Sequence, residues 1–169
     1  MRRLVWMVAV ALSVGALAPR TGAAQDVGLA LGSRPAPIVV EDVDGKPVNL
    51  AQYMGKKPVV LEFWATWCSI CAALQPRIDA AERRFGTNVQ FVTVAVGVNQ
   101  TARSIKRHLE KHRVAGVLVF DKDGRATRAF EAPATSYVVV LDRQGRVSYT
   151  GSGEDQDLNA AITKALAAR

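Results

Sequence analysis

The chain has 169 residues and 49% hydrophobic content, enough for one ordinary globular domain with its own core. Its formal charge of +7 falls to +4 once residues 1–24 are set aside, because that stretch carries Arg2, Arg3 and Arg20 and no acid. The remaining basic residues are scattered rather than grouped with aromatics, which argues against a nucleic-acid surface, and two cysteines three positions apart exclude a disulfide-dense scaffold.

Residues 1–24 read as a signal peptide: Arg2-Arg3, an apolar run from Leu4 to Leu17, then small residues ending in Ala23-Ala24, with cleavage expected after Ala24. The run is shorter than the roughly 20 residues of a comfortable membrane span, and no cysteine follows it for lipid attachment. Residues 25–37, interrupted by Gly and Pro, predict an extended arm, and residues 38–169 the domain proper. Ile38-Val39-Val40 and Pro47-Val48-Asn49 flank an Asp- and Gly-containing turn and predict a β-hairpin. Leu50 to Met54 reads as a helical turn closed by Gly55.

Val59-Val60-Leu61-Glu62-Phe63-Trp64 is the apolar run of a buried central strand, broken by Glu62. After Trp67 the period switches to helix, with Ala73, Leu74, Ile78, Ala81 and Phe85 at three- and four-residue spacing and Gly86 as the stop. Val89 to Val96 predicts a strand, Thr101 to Arg113 an amphipathic helix, Val117 to Phe120 a short strand, and Tyr137 to Leu141 with Val147 to Thr150 a hairpin. Asp155 to Ala168 predicts the last helix. Asp121-Lys122-Asp123-Gly124 and Asp142-Arg143-Gln144-Gly145 read as shared turn chemistry. The alternation of strands and helices, followed by a hairpin, predicts an α/β fold with a mixed sheet and helices on both faces.

Cys68 and Cys71 stand at i and i+3 in the first turn of the helix after the central strand, a spacing that allows a disulfide to open and close. Unpaired N–H groups and the dipole at a helix start favour the Cys68 thiolate, so Cys68 is the expected nucleophile and the more shielded Cys71 the resolving thiol. A purely structural bridge would close too short a loop to constrain the unfolded chain. Zinc would need two further ligands, and the only histidines are His108 and His112. Those two have metal-holding spacing, but Arg107, Glu110, Lys111 and Arg113 describe a solvated face, so no metal and no cofactor are expected.

Phe63-Trp64-Ala65-Thr66-Trp67-Cys68-Ser69-Ile70-Cys71 with Pro76 beyond it resembles the thioredoxin superfamily. Asp44-Gly45-Lys46 and Gly55-Lys56 bring the likeness closer to its exported TlpA/ResA-like branch. The resemblance implies a thioredoxin-like fold with an N-terminal β-hairpin extension, periplasmic localisation, reduction of protein disulfides by exchange with the Cys68–Cys71 pair, and a membrane electron-transfer protein as reductant. It places Glu62 where thioredoxins keep a buried acid that moves the proton of the second thiol; the alternative is an acid at a sheet edge. It makes Trp67, Pro133 and Thr135 the candidate substrate groove, with Pro133 either the family's cis-proline or an ordinary turn proline. Asp142 follows Pro133 by three residues more than usual, which puts Ser136 at the expected proline position. A copper-binding metallochaperone and a thiol peroxidase are the alternative functions.

Overall fold

The computed structural model describes residues 28–168; the signal-peptide assignment, residues 1–24, lies outside the described residues. β1 (Val39–Glu41) and β2 (Pro47–Asn49) pair antiparallel, and a 3-10 turn, Leu50–Tyr53, follows. Then come β3 (Val59–Trp64), α1 (Ser69–Phe85), β4 (Gln90–Val96), α2 (Ala102–Leu109), β5 (Val117–Asp121), α3 (Arg125–Ala129), β6 (Tyr137–Leu141), β7 (Val147–Gly151) and α4 (Leu158–Ala167). The strands form one mixed sheet in the order β2-β1-β5-β4-β3-β6-β7, with β3, β4 and β5 parallel and the other neighbours antiparallel. Among the described residues no helix is long and apolar enough to cross a membrane.

Two apolar cores sandwich this sheet. On one face Val60, Val138 and Val140 pack with Leu74, Ile78 and Ala81 of α1 and Leu158, Ile162 and Ala165 of α4. On the other, Leu61, Phe63, Val94 and Tyr137 pack with Ile105 of α2, Ala126 of α3 and Leu50. The central position of β3, between β4 and β6, explains why all six of its residues are buried. Glu62 does not interrupt the strand: it pairs with Thr93 on one side and Val138 on the other. The sheet-edge alternative for Glu62 is therefore overturned.

Several boundaries move from the expected ones. α2 stops at Leu109 rather than Arg113 because Arg113 is drawn to α1, where it pairs with Asp79 and Glu82, while Glu82 Oε1 also accepts the Gly116 N–H at 2.7 Å. α4 begins at Leu158, capped by Asp157, whose side chain accepts from the Ala160 N–H. Ala73 is exposed, so the inward stripe of α1 is Cys71, Leu74, Ile78 and Ala81.

The expected pair of turns shares its backbone form, the Gly124 and Gly145 N–H groups donating to the Asp121 and Asp142 carbonyls with both glycines at positive φ, but the side-chain pattern matches across a different pair. Asp42 and Asp142 each accept two backbone N–H groups through Oδ1, from Asp44 and Lys46 and from Gln144 and Arg146, with Gly45 and Gly145 at φ +81 and +74. Asp121 instead accepts from Ala126 N–H, Thr127 N–H and the Thr127 hydroxyl, starting α3. Residues 28–37 contain no strand, but Gly32 and Ser33 exchange hydrogen bonds with Val147, and the Leu29 N–H donates to Tyr137 Oη.

Candidate active site

β3 ends at Trp64, and the short loop that follows feeds Cys68 into the N-cap of α1. Cys68 and Cys71 are joined as a disulfide with Cα atoms 5.2 Å apart, inside the range such a bridge tolerates. Cys68 Sγ also accepts the Cys71 backbone N–H at 3.0 Å. An unpaired helix-start N–H thus points at the sulfur that would carry negative charge after reduction. Cys71 is fully buried and Cys68 nearly so, whereas Trp67 and Ile70 beside them are each 49% exposed. The sulfurs therefore sit within an apolar collar, with Cys68 the more accessible.

The loop carrying Cys68 is tied to the end of β4 by contacts that spacing did not reveal. Gln100 is buried, accepts the Thr66 N–H through Oε1 at 3.0 Å and donates Nε2 to the Val96 carbonyl at 2.5 Å. The Trp67 indole N–H donates to the Val98 carbonyl at 2.8 Å, which fixes the plane of a ring that would otherwise swing in solvent. These partners lie 31 and 34 residues away in sequence, so no local signal marks them.

Trp67 forms one wall of a depression of about 410 Å³ whose other sides include Val98, Thr127, Pro133 and Thr135. The three groove candidates, Trp67, Pro133 and Thr135, therefore meet at one surface. Among the described residues there is no cis peptide bond, so Pro133 is an exposed trans proline and the cis-proline reading of it is corrected. The position before β6 is instead held by Ser136, which is buried with φ +63, donates its N–H to the Phe63 carbonyl and accepts the Gly153 N–H on its hydroxyl. Gln156 fastens the same turn by donating to the Ser136 and Gly153 carbonyls.

Glu62 is 2% exposed and neither carboxylate oxygen has a hydrogen-bond partner among the described residues. Burial, reinforced by the charge of Asp79, pushes its pKa up to about 8. Ile78, Thr93 and Ala115 line the void beside it, about two turns of α1 beyond Cys71. The carboxyl group is thus in the core beneath the helix and makes no hydrogen bond to either cysteine.

Trp64 is buried among the same side chains as Cys68 and Cys71, and its ring meets that of His108 edge-on at 5.1 Å. The His108 and His112 rings lie 4.5 Å apart, and burial together with the neighbouring His112 lowers the pKa of His108. Among the described residues no group of three or more His, Cys, Asp or Glu side chains is placed to hold a metal ion.

Comparison with known proteins agrees with this geometry. The family model described as Redoxin matches residues 30–166. The thiol-disulfide oxidoreductase ResA of Geobacillus thermodenitrificans is 24% identical over 139 residues, spanning 79% of this chain and 77% of that protein. Among solved structures, one from Chlorobium tepidum, provisionally described as a thiol:disulfide interchange protein DsbE, superposes with a TM-score of 0.72 at 22% identity, over 81% of this chain and 98% of its own. StoA from Bacillus subtilis superposes at 0.61 with 19% identity, over 75% and 95% of the two chains. At these identities the structural matches establish the thioredoxin-like fold.

Proposed function

The chain belongs to the Redoxin family, and from that premise we propose that it is an exported thiol-disulfide oxidoreductase that reduces protein disulfides in the periplasm. The observation that carries this reading is the Cys68–Cys71 disulfide at the start of α1, with the Cys71 N–H on Cys68 Sγ and an apolar collar around both. In the reduced protein the Cys68 thiolate attacks a substrate disulfide, forming a mixed disulfide and releasing one substrate thiolate, which takes a proton from solvent. Cys71 then loses its proton and attacks Cys68 Sγ. The second substrate sulfur leaves, and the Cys68–Cys71 bond forms. Two electrons pass to the substrate, and a dithiol donor, by family likeness a membrane electron-transfer protein, must restore the pair.

Glu62 is the group proposed to exchange the Cys71 proton. Its pKa of about 8 lies near working pH, where an acid can both give and accept. Because neither oxygen has a partner in the oxidised form, the transfer runs through a water or a change of side-chain rotamer. Trp67, Pro133 and Thr135 are proposed to line the path of the substrate chain, since all three border one depression and Trp67 directly precedes Cys68 in the chain.

The test is disulfide reduction of insulin with dithiothreitol as donor. Cys68→Ser should abolish turnover, and Cys71→Ser should accumulate a mixed disulfide on Cys68. Unchanged turnover in Cys68→Ser overturns the proposal.

A further inference from the structure

We propose that His108 and His112 form a two-imidazole site for a divalent transition-metal ion, Cu(II) being the ion it suits best, on the solvent side of Trp64. The two residues bracket the end of α2, and the His112 N–H donates to the His108 carbonyl at 2.9 Å, so helical register carries past Leu109 and both side chains project from the same face. Their ring centroids are 4.5 Å apart with planes inclined by 32°. Since each metal–imidazole bond is about 2 Å long, one ion can be reached by a nitrogen from each ring without moving the backbone.

Neither imidazole makes a hydrogen bond or ion pair with the protein among the described residues, so every ring nitrogen remains available. His108 is also held in place: its ring rests edge-on against the buried Trp64, which reduces the rotamer freedom lost on ligation. His112 is exposed and supplies the open side of the site, where water would complete the coordination. Imidazole nitrogens in a site of only two protein ligands favour Cu(II), which heads the affinity order of the divalent first-row ions and takes a planar arrangement with solvent ligands. The neighbouring Arg107 and Lys111 oppose a dication and Glu110 partly offsets them, while Arg113 is paired with Asp79 and Glu82 of α1; a residual positive charge favours the ion that binds nitrogen most strongly.

The site is separate from the disulfide chemistry, so it is tested with the pair oxidised and its sulfurs unavailable. Copper(II) sulfate is titrated into the oxidised protein while tryptophan fluorescence and the electron paramagnetic resonance spectrum are recorded. One Cu(II) per chain is expected, with hyperfine splitting from two imidazole nitrogens and quenching of the Trp64 contribution. His108→Gln and His112→Gln should each weaken binding by about tenfold or more and leave insulin reduction unchanged. In Trp64→Phe the two-nitrogen spectrum should persist while the quenching is lost. Wild-type affinity in His112→Gln, or splitting from a single nitrogen, overturns the proposal and marks any remaining copper as adventitious.

Discussion

Replacing Glu62 by Gln keeps the shape of the side chain and removes its titration, which isolates the cost of a carboxylate in this core. In the folded oxidised protein Glu62 is 2% exposed, its oxygens have no hydrogen-bond partner among the described residues, and burial raises its pKa from the ordinary 4.5 to about 8. The unfolded chain releases the same proton near 4.5. Between those pH values the folded state binds more protons than the unfolded state, so stability falls as pH rises. The contribution is fully present below pH 4.5 and is lost as pH passes through 8. Each pH unit in that window is worth about 1.4 kcal/mol for one proton, so the whole window amounts to about 5 kcal/mol.

Urea unfolding of the oxidised wild type and of Glu62→Gln at several pH values from 4.5 to 9 reads this directly. All other titrating groups are shared, so they cancel in the difference between the two stability curves. The wild type should lose several kcal/mol relative to the variant across the window. Parallel curves would refute the assignment of Glu62 as a neutral buried acid, and with it the proton-exchange role.

Three further substitutions probe the frame around the cysteines. Gly116 has φ +64, and a Cβ there would lie 2.0 Å from the Phe91 carbonyl oxygen, so Gly116→Ala should cost roughly 2 kcal/mol or more in a urea titration. Gln100→Ala strips partners from the Thr66 N–H and the Val96 carbonyl, and should cost about 1–3 kcal/mol; slower insulin reduction should accompany it because the loop before Cys68 is released. Trp67→Ala removes a half-exposed ring and should change stability by less than about 1 kcal/mol. Its KM for a protein disulfide should rise while reactivity of Cys68 towards a small disulfide is retained.

What the sequence made legible follows the range of the forces involved. The cysteine pair, the apolar run of β3 and the stripe of α1 are local patterns, readable because burial imposes its period on neighbouring residues. The five residues of α3, Arg125–Ala129, have no apolar period of their own; the buried Asp121 makes them helical by accepting three donors from Ala126 and Thr127. Glu62 looked like a break because acids are seldom fully buried unpaired, and only its place between β4 and β6 shows that the strand runs through it. Gln100 and Gln156 carry no signal, since both act through hydrogen bonds to residues distant in sequence.

The spacing anomaly after Pro133 was visible, but its physical resolution was not. Ser136 donates to the Phe63 carbonyl, extending the β3–β6 pairing one step beyond Tyr137, so the strand register is kept at the end nearest the cysteines. The extra residues must then be absorbed between α3 and β6, and Glu131 and Ser136 do so by adopting φ +47 and +63, a conformation that bends the chain sharply at some cost for any residue other than glycine. The fixed quantity is the register beside the active site, and the loop bulges outward to preserve it. Pro133 is thereby carried to the exposed rim of the depression beside Trp67, which leaves the buried position before β6 to Ser136.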